Sequence, residues 1–181
     1  MKEMPVGNHI DSAWTGPERV VLVTSVDRLG KNNIITIGWV MRTNMDPPVL
    51  AIGLSKGSYS CANISRTGEF VMAIPGLDMA TAAIYCGTHS GAEVDKFKGA
   101  GLTAKKAKIV RPPLIEECLC NLECKVIATQ EVHAHRVFFG EVVAHWNSEK
   151  KERSLLIVGG ESGYETVHEE AGFRLGAVAA S

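Results

Sequence analysis

Short apolar runs broken by small polar residues fill the chain from Val20 to Pro75, with hardly any helical periodicity between them. The runs Val20 to Val23 and Ile34 to Val40 flank a loop that holds Gly30, Asn32 and Asn33, which is a β-hairpin pattern. Pro47 and Pro48 force an extended backbone ahead of the next run, Val49 to Leu54. Asn63 to Arg66 is predicted as one helical turn, capped by Ser60 and stopped by Gly68. Glu69 to Ile74 then reads as another strand, closed by Pro75.

From Asp78 the pattern changes. DMATAAIYCG is rich in alanine and opens on an N-cap residue, which predicts a helix. EVDKFK predicts a second, short helix around Ala92 to Lys98, before Gly99 and Gly101. KKAKIVRPPLIEE is basic, then broken by prolines, and reads as an extended connection. Asn121 to Val132 and Val137 to Trp146 are expected as long strands separated by HAHR, with shorter ones at Ser154 to Val158 and Phe173 to Val178. Met1 to Gly16 is expected as an irregular surface arm. Strands dominate, with a few helices inserted, which favours an antiparallel barrel over a βαβ sheet. No repeat, low-complexity stretch or linker divides residues 1–181, so one domain is expected.

Composition narrows the classes. At 181 residues and 19.5 kDa the chain is long enough for a sizeable core, and 45% hydrophobic residues exclude disorder. A net charge of −1 gives no drive toward nucleic acid or an anionic membrane. No apolar stretch is long enough to span a bilayer, and MKEMPVGNHID lacks the apolar centre of a secretory signal. Five cysteines are an odd count without framework spacing, so reduced thiols and a cytoplasmic location are expected.

Several clusters carry candidate chemistry. SKGSYS places Lys56, Ser58 and Ser60 in one loop at a strand end, where a cation and hydroxyls suit an anionic ligand; a soluble turn has the same composition. Neither GxGxxG nor GxxxxGK[ST] is present. Trp39 lies mid-strand, a place for a core, interface or ligand residue. His133 and His135 share a face of a strand and, with Glu141, suggest a cupin-like metal centre. That spacing is longer than the cupin pattern, and the second histidine would have to be His145 in a poorly matching context. Cys118, Cys120 and Cys124 form CxCxxxC without a CxxC pair, which favours buried thiols over a metal cluster, and no metal ligand is assigned.

An ordered set of residues adds a resemblance. It comprises Asn33, Trp39, Pro47-Pro48, Ser58-Tyr59-Ser60 before Asn63-Ile64, Thr67-Gly68-Glu69-Phe70, Asp95-Lys96-Phe97 and His135-x-x-Phe138-x-Gly140-x-Val142. In this order, over roughly Val20 to Tyr164, the chain resembles the flavin reductase-like, FMN-binding split-barrel family, and within it the flavoredoxins. The resemblance implies a mainly β fold, a six-stranded antiparallel Greek-key split barrel with peripheral helices. It also implies a homodimer with FMN at or near the subunit interface. Ser60 and Lys96 fall where the family contacts the phosphate, with Lys56 and Ser58 as further donors. Asn33 would meet the polar edge of the ring, and Trp39 and Tyr164 would lie near it. His135 would stand at the redox edge as the catalytic residue and meet a transient NAD(P)H. The implied activity is FMN-dependent oxidoreduction from NAD(P)H or a protein redox partner; a non-catalytic FMN-binding dimer is the alternative.

Overall fold

The structure, a computed structural model, describes residues 17–158 and 163–179. The arm expected at residues 1–16 lies outside the described residues. The first strands are β1 (Glu18–Arg19), β2 (Val21–Val26), β3 (Asn32–Ile37), β4 (Val40–Met45) and β5 (Pro48–Ser55). Helix α1 (Tyr59–Thr67) leads into β6 (Glu69–Ile74). A 3-10 turn at Leu77–Met79 opens α2 (Ala80–Thr88), and α3 (Lys96–Gly99) is a single turn. Short strands β7 (Ala104–Lys105) and β8 (Leu114–Ile115) precede the long hairpin of β9 (Cys120–Val132) and β10 (His135–Asn147). Three strands end the chain: β11 (Leu156–Ile157), β12 (Tyr164–Glu170) and β13 (Phe173–Val178).

The main sheet has seven antiparallel strands in the order β3-β2-β6-β9-β10-β5-β4. Its two edge strands, β3 and β4, are separated in sequence by Gly38 and Trp39 alone. One bent run therefore leaves one edge of the sheet and joins the other, so the sheet has to curl into a barrel. The expected six strands become seven because the run read as Ile34 to Val40 bends at Gly38 and continues as β4. The connection from β5 to β6 through α1 skips β10 and β9, which gives the Greek-key course.

Side chains from distant strands fill the barrel. Val21 and Val23 of β2, Ile52 and Leu54 of β5, Phe70 of β6 and Phe138 of β10 pack in one cluster with Cys61 and Ile64 of α1. A Cβ on Gly140 would stand 2.5 Å from Phe70 Cζ, so β10 carries a glycine where that ring lies. All six residues of β2 are buried. Its other face meets a second cluster built with Ala83 and Ile84 of α2, Phe97 of α3 and Leu175 of β13. That face is covered by the helices and by a four-stranded sheet, β1-β11-β13-β12. Among the described residues no helix is long and apolar enough to cross a membrane.

Local chemistry moves several expected boundaries. Helix α1 starts earlier than the turn predicted at Asn63, because Ser58 rather than Ser60 caps it: Ser58 Oγ accepts from Cys61 N at 3.1 Å. Gly68 ends α1 as expected, in the left-handed conformation at φ 67°. Asp78 sits in the 3-10 turn and pairs with Lys150 instead of capping α2. Helix α3 begins only at Lys96, capped by Asp95, since Glu93 N and Val94 N are bonded back to Ser90 O. Strand β10 begins at His135, which leaves His133 and Ala134 as a tight turn. Strand β12 was not expected at all; its residues are polar and largely exposed.

Glu123 anchors the basic connection to the barrel. It is fully buried on β9, and its carboxylate accepts from Lys108 N, Ile109 N, Val110 N and Trp146 Nε1 at 2.6–3.0 Å. Burial raises its pKa, but these donors outweigh burial and hold the carboxyl below its ordinary value of 4.5. Its stabilisation is thus complete above that value and is lost as pH falls through the lower folded value. Glu123→Gln is expected to cost about 3 kcal/mol at neutral pH, because buried donors are left unpaired. Urea unfolding followed by tryptophan fluorescence checks this, and the gap from wild type should narrow below about pH 4.

Candidate functional site

The residues singled out in the sequence gather at two places. The first is a buried polar cluster between β2, β3 and α1. Asn33 Nδ2 donates to Ser25 Oγ at 3.0 Å and to Ser60 Oγ at 2.8 Å. Pairing of β2 with β3 sets Ser25 opposite Asn33, and α1 brings Ser60 over them. Asn33 Oδ1 and both amide atoms of Asn63, also on α1, are buried without a hydrogen-bond partner. Gly91 covers this cluster closely: a Cβ there would stand 1.8 Å from Asn33 Oδ1. Lys31 Nζ ties the same loop down by donating to Gly91 O at 2.8 Å.

Lys96 lies beside this region and is itself buried. Its Nζ donates to Ile34 O and Cys86 O, each at 2.7 Å. An ammonium has three N–H donors, so one remains for a further partner. Burial pushes its pKa down, opposed by the nearby Cys86 thiol. Burial likewise pushes Cys86 up to about 11, with Lys96 pulling it back, so that sulfur stays protonated.

The second place is an apolar groove of about 860 Å³. Trp39, Met41, Ala51, Ile52, Gly53 and Val137 line it, with Glu18 and Arg19 also in its wall. The Trp39 side chain is 60% exposed, and its ring lies 4.7 Å from that of His135 at 49°. Trp39 O accepts from Gly53 N, which fixes the bend beside β5. His135 is set at the start of β10 by pairing with Ser55 and Val132.

Thus Asn33, Ser60 and Lys96 form one group, and Trp39 with His135 another. Asn33 and Trp39 are six residues apart on one extended run, up to about 20 Å. The groove wall includes none of Asn33, Ser60, Lys96 or Tyr164. Tyr164 sits at the start of β12, opposite Val178 in the four-stranded sheet. Ser58 spends its oxygen on the helix cap, and Lys56 pairs with Glu131 at 3.2 Å in a different pocket. Lys56, Ser58 and Ser60, expected to act from one loop, thus have three different partners: Glu131, the Cys61 N–H and Asn33. Sequence reading missed Ser25, Asn63 and Gly91; polar residues facing an apolar strand and helix were the available signal.

The metal alternative finds no support in the geometry. No group of three or more His, Cys, Asp or Glu side chains among the described residues is placed to hold an ion. Cys118 and Cys124 are buried, and burial pushes both thiols up, which opposes a thiolate cluster.

The residues present fit a ligand with a flat apolar part and an anionic, hydroxyl-rich tail. The groove is apolar and of ligand size. The polar cluster has orphaned amide atoms, and Lys96 has one N–H in reserve.

Comparison with known proteins gives the family and the fold. The family model described as a flavin reductase like domain matches residues 15–166. The structure of a flavoredoxin from Methanosarcina acetivorans is 30% identical, covers 95% of each chain and superposes with a TM-score of 0.76. Flavoredoxin of Desulfovibrio vulgaris is 26% identical over 94% of this chain and 95% of that one, with a TM-score of 0.77. An NADH:riboflavin 5'-phosphate oxidoreductase of Streptomyces pristinaespiralis is 27% identical over 68% of both chains. The chain belongs to the flavin reductase like family of flavin-binding oxidoreductases, and its fold is their split barrel.

Lys96 has a structural duty separate from any ligand. In flavin-free protein, Lys96→Met should lower stability by about 2 kcal/mol, because two buried carbonyls lose their donor. Chemical denaturation of the apoprotein measures this; an unchanged midpoint would show that the ammonium is dispensable to the fold.

Proposed function

We propose that the chain is an FMN-dependent oxidoreductase of flavoredoxin type, which holds FMN and passes electrons between a donor and a protein partner. The observation that carries this reading is the pairing of an apolar groove walled by Trp39, whose ring lies against His135, with a buried polar cluster that has hydrogen-bonding capacity to spare. When bound, FMN supplies the hydride- and electron-accepting chemistry. Trp39 offers an exposed aromatic face for stacking. His135 offers an imidazole N–H beside that face, for a proton or hydrogen bond at the reacting edge. Ser60 and Lys96 are the donors suited to the phosphate, with Asn33 and Asn63 holding the polar tail.

In one chain these groups stand apart, which favours a homodimer. Two copies that set Trp39 and His135 of one near Ser60 and Lys96 of the other join the halves of the site. The exposed Trp39, with Met41 and Met45 of β4, supplies apolar area for such a contact. No nicotinamide fingerprint accompanies the barrel, so NAD(P)H would dock transiently on the open ring face beside His135.

Purified protein reconstituted with FMN and freed of excess is expected to show flavin absorption at about one equivalent per chain, and riboflavin should bind far more weakly. Protein that stays colourless, with no measurable FMN affinity, overturns the proposal. His135→Ala should slow anaerobic reduction by NAD(P)H by about 10²-fold and leave FMN binding nearly intact. Rapid turnover of free flavin would instead identify a dedicated flavin reductase.

A further inference from the structure

A second pocket, of about 330 Å³, lies on the other side of β10 from His135. Its wall is made by Lys56, Cys61, Ala62, Ser65, Arg66 and Arg136. Successive residues of a strand point to opposite faces, so Arg136 turns away from the Trp39 groove that its neighbour His135 adjoins. Three cations thus meet in a concave site on a chain whose net charge is −1.

Two of the three cations, Lys56 and Arg136, are held in place. Arg136 Nη1 donates to Ser65 Oγ at 2.5 Å, and Arg136 Nη2 pairs with Glu131. Lys56 Nζ pairs with the other oxygen of Glu131 at 3.2 Å, and Lys56 N donates to Ala134 O in the β9–β10 turn. Glu131 is the one carboxylate among the described residues that pairs with them, and the two cations hold its pKa below the usual range. It compensates a single charge and leaves the pocket at about +2. Arg66, one turn along α1 from Ala62, has no carboxylate partner among the described residues.

We propose that this pocket is a phosphate-monoester site. A phosphomonoester carries close to two negative charges and three acceptor oxygens, which matches the residual charge and the fork-shaped donors of the two arginines. A pocket of this volume admits a phosphate with part of its carrier. The site shares no side chain with the Asn33–Ser60–Lys96 cluster or with the Trp39 groove, so it does not depend on where the flavin sits. It takes either a free phosphate or the 2'-phosphate of a nicotinamide dinucleotide whose reactive end lies across the strand at His135.

The test is calorimetric titration of the full chain with inorganic phosphate and 2',5'-ADP, on wild type and Arg66→Ala. Arg66 is exposed and carries no contact needed for the fold, so the variant is expected to fold and to bind flavin like wild type. Saturable binding of inorganic phosphate and 2',5'-ADP, weakened about tenfold in Arg66→Ala and falling with salt, supports the site. Steady-state comparison of NADPH with NADH then separates the sources. A preference for NADPH that disappears in Arg66→Ala assigns the dinucleotide, and an unchanged ratio with weakened phosphate binding assigns free phosphate. Absence of binding, or binding indifferent to Arg66, overturns the proposal. Flavin titration of the same samples reports independently on the flavin site.

Discussion

The fold depends on the bend at Gly38. The strands on either side of it, β3 and β4, belong to opposite edges of the same sheet, so two residues carry the chain across the seam of the barrel. The carboxylate of Glu18 lies over this bend, 2.9 Å from where a Cβ at 38 would stand, and would have to swing aside for a side chain there. Closure at this point brings β2 and β5 to one core, where Val23 and Phe70 of the paired strands β2 and β6 meet Ile52 and Phe138 of the paired strands β5 and β10. The same bend throws the Trp39 ring outward, over Gly53 and against His135. The seam of the barrel and the apolar wall of the groove are therefore one feature.

A second consequence concerns the polar cluster. Buried amides and hydroxyls are costly unless paired, and most of a domain's interior avoids them. Here Ser25, Asn33, Ser60 and Asn63 are all buried under α1 and the Gly91 loop, with three polar atoms unsatisfied. Three polar atoms without partners at one spot leave donors and acceptors there for water or a polar ligand. Lys96 makes the same region cationic, yet two backbone carbonyls hold its ammonium in place before any ligand arrives. Its position costs desolvation, and the benefit is a donor whose direction is fixed in advance.

What could be read from the sequence follows the range of the interactions. Strands β6 and β13 fall where the residues placed them, because Pro75 and the Gly172 turn mark their ends locally. The cap of α1 was misplaced by two residues, since Ser58 and Ser60 are equally good oxygens and the β5 exit decides which meets the Cys61 N–H. Strands β4 and β12 carry mostly exposed residues and gave no apolar run to detect. The family motif pointed to Asn33, Ser60, Lys96, Trp39 and His135, but a linear pattern has no measure of the distance between Asn33 and Trp39. Nor does it tell an exposed lysine from a buried one: Lys56 and Lys96 look alike in sequence and differ entirely in environment.

That contrast between the two lysines defines the electrostatics of the molecule. Lys96 is dry, held by carbonyl dipoles and free of any carboxylate partner among the described residues, so an anion that reaches it meets an ammonium that no carboxylate offsets. Lys56 is wet, shares Glu131 with Arg136, and acts as part of a fork whose strength falls with salt. A tightly kept cofactor suits the first environment, and a group that must come and go suits the second. The helix α1 stands between them, with Ser60 turned to one and Ser65 to the other. One short helix, set by a serine cap and a glycine stop, thereby separates the two cationic environments.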